Sequence, residues 1–369
     1  MPDATAASTE ILAPPEPPPQ STEPVVGRKR LVDLDALRGV AAFWVVIYHY
    51  TFAYGNIEPI HPAIRVRGGP EAVDLFFMIS GYVIAMSLQR SSSAGRFLLA
   101  RANRLYPAFW FSMLLTFVIL RLHPLPGYEQ RTIADLLANI TMLPETLFGR
   151  TRIDTAYWTL EIEVLFYLLM AVLFIAGLKE RLVECTIALV ALSMLYGLGQ
   201  HTHHTLLPDF VAVALNLPNI SRFAVGLCVY DLQRYGFRPK HAILLAMIPP
   251  AVFLNGNVAN VVYIVTLGAI FAAAATGRFA IFKLRPILFL GGISYPLYLV
   301  NQLIGFVVLN MLLRGGLNIN LAILPATIAI VLLATAISFG IERPAMRLLR
   351  RPDRPRSHEA ATPASAKAV

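Results

Sequence analysis

The chain has 369 residues, 56% of them hydrophobic and only 14% charged, with a mean hydropathy of +0.61. A soluble domain carries about 25% charged residues, so this composition excludes a water-soluble globular protein and points to a chain held mostly in lipid. The net charge of +9 does not call for a nucleic-acid partner, because the basic residues sit between apolar runs, where membrane topology accounts for them.

Residues 1–30 are rich in Pro, Ser and Thr and lack an apolar run of signal-peptide type, so they read as a disordered cytoplasmic tail. Residues 31–347 read as one membrane domain, and 348–369 as a second polar cytoplasmic tail. Apolar runs of spanning length occur at about 34–54, 72–88, 105–122, 156–177, 182–200, 210–232, 242–255, 259–276, 287–312 and 321–341. The sequence therefore predicts an all-α, polytopic protein with about ten transmembrane helices. With the N-terminus inside, 23 of the 31 Lys and Arg fall in cytoplasmic segments and seven in outside loops. That asymmetry predicts both termini on the cytoplasmic side.

The first run, "DALRGVAAFWVVIYHY", carries Arg38 at one end and His49 near the other. Eleven residues at about 100° each bring both onto one helical face, about 16 Å apart along the axis. Ionisable groups in hydrocarbon are costly and usually functional. A cation at the inner mouth with an imidazole deeper on the same stripe suits a long ligand with an anionic end and a reactive end; membrane anchoring of Arg38 and packing of His49 is the alternative. The second run opens "GGPEAVDLFFMISGYVIAM", with Asp74 near its outer end as a site candidate or a helix-start residue. In "RFLLARANRLYPAFWF", Arg101 and Arg104 share a face at the cytoplasmic rim, suited to phosphate or to snorkelling.

The long outside loop, about 123–155, contains "RTIADLLANITML", a candidate amphipathic helix lying on the membrane surface. The fourth run, "YWTLEIEVLFYLL", holds Glu161 and Glu163 on different faces. Glu163 falls about 10 Å below the outer surface, at a depth matching His49. A carboxylate there would orient the imidazole and stabilise its cation. "HTHH" at 201–204 is read as a short loop rather than a metal site, because no further ligand has suitable spacing. Cys185 and Cys228 lie in apolar runs, with nothing to indicate a disulfide or a metal. The ninth run carries Asn301 to the outer half, near the predicted depth of His49 and Glu163. "ERP" at 342–344 reads as the exit of the last helix.

Taken in order, "LDALRGVAAFWVVIYH", "VDLFFMISGYVI", "RANRLYP", "YWTLEIEVLFY", "ISYPLYLVNQL" and "ERP" resemble the acyltransferase 3 family of membrane-bound O-acyltransferases. The resemblance covers roughly residues 31–347. It implies transfer of an acyl group, usually acetyl, from cytoplasmic acyl-CoA to a hydroxyl of a cell-surface glycan or lipid-linked saccharide, in the bacterial inner membrane. Carried over by position, Arg38, Arg101 and Arg104 would hold the donor acetyl-CoA. His49 would be the catalytic base, with Glu163 supporting it, Trp158 in the same motif as Glu163, and Asp74 a further catalytic candidate. No metal is implied. Many relatives have His where this chain has Asn301. From the residues alone a second function stays open, a proton-coupled transporter or flippase using His49, Asp74 and Glu163 as a relay.

Overall fold

The computed structural model describes residues 25–277 and 284–349, so the predicted tails lie almost wholly outside the described residues. Among these residues the chain is helical without strands. The main helices in chain order are α1 (Val25–Thr51), α2 (Gly69–Arg90), α3 (Ala94–Leu122), the short α4 (Ile133–Asn139) and α5 (Pro144–Phe148), and α6 (Trp158–Ile175). They continue with α7 (Leu182–Thr202), α8 (Asp209–Ala214), α9 (Ile220–Tyr235), α10 (Pro239–Leu254) and α11 (Val258–Ala274). The last four are α12 (Arg285–Val300), α13 (Leu303–Arg314), α14 (Ile319–Ile337) and α15 (Arg343–Leu349).

Among the described residues, five helical stretches are long and apolar enough to cross a bilayer: Gly69–Arg90, Ala94–Leu122, Thr155–Ile175, Lys179–Thr202 and Ile319–Leu349. A sixth arises if α12 and α13 count as one span, although they meet at a 77° bend. The sequence reads that run, 287–312, as a single helix. The 210–232 run is likewise broken, into α8 and α9, where Asn216 takes a left-handed conformation at φ 55° ahead of Pro218. Helices α10 and α11 are apolar but have only 16 and 17 residues, short of the roughly 20 that a straight span needs. At 201–204 the motif ends a helix: His203 closes α7 in the left-handed region at φ 55°.

Two seams hold the bundle together, and each is made where glycines remove the side chain. Side chains at Gly39 and Gly291 would run into the opposing backbone, so α1 and α12 touch along their main chains. Gly39 meets Gly291 and, ten residues on in both helices, His49 meets Asn301, so the two run parallel and in register. Gly81 and Gly226 make the second close approach, between α2 and α9. That seam carries a buried ion pair, Arg222 Nε donating to Asp74 at 2.6 Å.

The bend after Val300 is satisfied bond by bond. Pro296 inside α12 cannot donate to the carbonyl of Gly292, which instead accepts from Ser338 Oγ at 3.3 Å and Arg343 at 3.4 Å. Further along, the Leu299 carbonyl accepts from the Tyr157 hydroxyl at 3.1 Å and the Asn301 carbonyl from the Tyr50 hydroxyl at 2.9 Å. The first amide of α13, Leu303 N–H, donates to the Asp154 carboxylate at 3.2 Å. Leaving these groups unpaired in an apolar interior would cost several kcal/mol. The bend persists because the segment 154–159 and α1 supply partners for the groups it frees.

The molecule has two functional ends. One collects the start of α3, the start of α12, and the π-helical turn Ser338–Glu342. The other carries the loops 52–68 and 123–157 and the junction of α13 with α14. The predicted amphipathic segment sits at this second end as α4, capped by a reciprocal Thr132–Asp135 box, with Ile133 and Leu137 on an exposed face.

Candidate active site

The central feature is a buried imidazole–amide pair. His49 Nδ1 lies 2.5 Å from Asn301 Oδ1. The amide is oriented by its own second bond, because Asn301 Nδ2 donates to the Tyr298 carbonyl at 2.7 Å and leaves the oxygen facing the ring. His49 Nδ1 must then carry the hydrogen, and Nε2 keeps its lone pair. Among the described residues Nε2 has no hydrogen-bond partner. Phe306 packs edge-on against the ring at 6.0 Å and 81°, and Tyr48 tilts against it at 5.5 Å. A fixed tautomer with a free basic nitrogen is the state required of a general base.

Glu163 does not touch His49. Its Oε1 accepts from Ser80 Oγ at 2.6 Å and from the Tyr167 hydroxyl at 2.5 Å. Its charge acts on Tyr295 and Tyr298, so it lies alongside α12. The position the sequence assigns to Glu163, against the imidazole, is filled by Asn301. A depth inferred from helical rise does not fix which helix faces meet. Glu161 belongs elsewhere: it accepts from Arg152 at 2.9 Å and from Thr146 N–H at 2.8 Å, fastening the long loop to α6.

Asp74 is committed to Arg222, which also donates to the Pro218 carbonyl at 3.0 Å. His49, Asp74 and Glu163 thus belong to three separate hydrogen-bonded groups, and no continuous relay joins them among the described residues.

The three predicted cations do converge at the first end. Arg104 pairs with Glu342, lies over the Tyr295 ring at 5.6 Å, and is within electrostatic range of Arg38. Arg38 itself bonds Asp35 at 2.9 Å. Arg101 is close enough to Tyr167 to act on it electrostatically, and its Nε is buried with no hydrogen-bond partner. An orphaned guanidinium nitrogen is costly unless a ligand completes it, and phosphate oxygens fit its geometry. The donor set therefore suits an anionic cofactor end.

Glu342 is a member of this end that the sequence presents only as a helix exit. It is buried and bonds Ser338 Oγ at 3.0 Å as well as Arg104. The extra residue of the π-helical turn is what aims it inward.

Asp154 carries no motif in the sequence either. Its two carboxylate oxygens accept from Ala156 N–H at 2.9 Å and from Leu303 N–H at 3.2 Å, so it fastens the loop 123–157 to the start of α13, two residues from Asn301. Burial pushes its carboxyl up to about 7, against the opposing pull of the two amide bonds. A folded pKa above the unfolded value means the native state holds the proton longer, so stability falls as pH rises from about 4 through about 7. Asp154→Asn does not titrate. The stability difference between wild type and variant, from thermal unfolding in detergent, is expected to shrink by roughly 2–4 kcal/mol between pH 5 and pH 8. A difference that stays constant across that range would contradict this assignment.

Comparison with known proteins identifies the family. A family model described as an acyltransferase domain matches residues 31–343. The chain is 31% identical over 170 residues to an O-acetyl transferase of Shigella phage Sf6, covering 43% of this chain and 50% of that protein. It is 27% identical over 169 residues to the peptidoglycan O-acetyltransferase OatA of Listeria monocytogenes, covering 41% of this chain and 25% of that protein. It is 25% identical over 303 residues to the exopolysaccharide production protein ExoZ of Rhizobium meliloti, covering 76% of this chain and 90% of that protein. The chain thus spans about half the length of the phage protein and a quarter of OatA. No solved structure matches the chain significantly. The family match covers most of the sequence, and the chain belongs to the acyltransferase 3 family.

Proposed function

We propose that the protein is an integral-membrane O-acyltransferase of the bacterial inner membrane, moving an acetyl group from cytoplasmic acetyl-CoA to a hydroxyl of a cell-surface glycan or lipid-linked saccharide. The reading takes the arginine-lined end as cytoplasmic, with about ten helices crossing the bilayer and both termini inside. The observation that carries it is the presence of two unlike sites, one cationic and one built on an imidazole, at different levels of the helix bundle. A cluster of cations with an orphaned guanidinium nitrogen stands at one end, and a buried imidazole with a fixed tautomer stands further along the α1–α12 pair. The offset of about 16 Å between Arg38 and His49 suits a donor held by its phosphates at the rim, with its arm running inward.

In this reading Arg38, Arg101 and Arg104 hold the anionic end of the donor, and Glu342 keeps Arg104 directed inward. The donor's thioester supplies the activated acyl carbon. His49 Nε2 takes the proton from the acceptor hydroxyl as that oxygen bonds to the acyl carbon. The carbon–sulfur bond breaks, and the departing thiolate recovers the proton from the imidazolium, giving an ester and free thiol. Asn301 holds the ring in the productive tautomer. Glu163 contributes negative charge at a distance rather than by direct contact, its carboxylate being held by Ser80. Asp74 anchors α2 to α9 through Arg222 and takes no proton.

The test uses inverted membrane vesicles carrying the protein, supplied with acetyl-labelled acetyl-CoA on the exposed cytoplasmic face. Label is expected in the saccharide or lipid-saccharide fraction, and intact cells are expected to lose an acetyl-sized mass increment from a surface glycan when the gene is deleted. Vesicles that take up no label, together with an unchanged glycan mass profile, would remove the proposal.

A further inference from the structure

The loop-rich end contains a cavity that none of the roles above uses. It lies between the last turn of α3 and one face of α13, with a volume of about 180 Å³. Its polar lining is His123, Asn310 and Arg314, and among the described residues no carboxylate borders it. The other arginines at this end are already engaged: Arg152 bonds Glu145 at 2.7 Å, Arg131 and Arg150 face Glu129 and Asp135 at 3.8 Å, and Arg65 and Arg67 lie over the Phe52 ring. Arg314 makes no ion pair among the described residues. Close by, the Tyr54 hydroxyl is buried without a hydrogen-bond partner and lies within electrostatic range of Arg314. Tyr54 and His49 both pack on the same ring, Phe306, at 5.4 and 6.0 Å.

Helical geometry links this cavity to the reaction centre. Phe306, Asn310 and Arg314 are spaced four apart on α13 and form one slowly turning stripe. From the ring that touches His49 to the guanidinium end of the stripe is about 12 Å along the axis. That is within the span of a short saccharide. Leu122 and Met311 at the cavity's edge are exposed, so the mouth borders the region where apolar helix faces meet lipid.

Resting on the acyltransferase reading, we propose that this cavity is the acceptor's anion subsite, where Arg314, assisted by Asn310 and His123, binds an oxyanion of the saccharide that presents its hydroxyl to His49. The lining is rich in donors and cationic, which matches a carboxylate or phosphate and leaves a neutral sugar without its strongest partner. Two sources share that chemistry: the carboxylate of an acidic sugar, and the phosphate that links a saccharide to a lipid.

The experiment measures labelled acetyl transfer onto the endogenous saccharide of inverted vesicles formed in the presence of methyl glucuronide, a prenyl phosphoglucose or methyl glucoside, so that each competitor is enclosed on the face that carries this cavity. For the wild type, one or both anionic probes are expected to inhibit at concentrations at least about tenfold below methyl glucoside, and the more effective one identifies the source. Arg314→Gln is expected to lower transfer about 10- to 100-fold at unchanged KM for acetyl-CoA and to lose the preference for anionic competitors, while Arg314→Lys keeps part of both. The unchanged donor KM shows that the variant is folded. Equal inhibition by charged and neutral probes, or wild-type transfer by Arg314→Gln, would overturn the subsite. Wild-type vesicles that transfer no acetyl group at all would instead overturn the acyltransferase reading on which it rests.

Discussion

Replacing His49 by alanine is expected to abolish acetyl transfer, by at least about 10³-fold, while leaving membrane insertion and the KM for acetyl-CoA unchanged. The side chain packs against Phe306 and Tyr48, but its Nε2 nitrogen holds nothing else in place, so its removal takes away the base rather than the scaffold. Asn301 gives the sharper second measurement. Asn301→Leu keeps the same branched shape but removes the oxygen that fixes His49 Nδ1–H, so both tautomers and other ring orientations become populated. Transfer is expected to fall about 10²-fold through kcat, with donor KM unmoved. Asn301→His restores one acceptor for His49 and one donor for the Tyr298 carbonyl, and is expected to recover most of the loss. A residue that only packed the bend would show the opposite order, with apolar leucine tolerated and the polar, flat imidazole disruptive. Full transfer by His49→Ala would end the mechanism outright.

Much of this site is legible in the amino-acid sequence. The Arg38–His49 stripe follows from helical periodicity alone, and the arginines at 101 and 104 announce a cationic rim by type and position. The partnerships are not legible in the same way. Helical rise alone puts Glu163 level with His49, yet one sequence carries no information on how neighbouring helices are shifted and rotated, and Asn301 takes the contact. The bend at Asn301 is hidden for a related reason. The run 287–312 is continuously apolar, and its break is written in distant residues: Asp154, Tyr157 and Tyr50 supply bonds that a straight helix would have made internally. Pro296 is the local sign, since a proline in a span frees one carbonyl, but only the fold brings Ser338 and Arg343 to receive it. Glu342 escapes a reading by position because an acidic residue at a helix end usually faces water, and the π-helical turn reverses its direction.

Asp74→Leu is expected to be strongly destabilising, and the reason separates two roles for that carboxylate. Its loss leaves Arg222 partly buried between α2 and α9 with no counter-charge, a situation that costs about 3–5 kcal/mol. Gly81 and Gly226 bring the backbones of α2 and α9 into close approach on the same seam. The variant should accumulate poorly in membranes and unfold at lower temperature in detergent. Replacing both partners with apolar residues of similar size is a different matter, because no charge is then stranded. Asp74→Leu combined with Arg222→Met is expected to recover most of the stability and, if the carboxylate serves only as an anchor, most of the acetyl transfer. A catalytic Asp74 predicts instead a double variant that folds normally and transfers nothing. Recovery of the fold without recovery of activity would therefore return Asp74 to the reaction centre, against its observed commitment to Arg222.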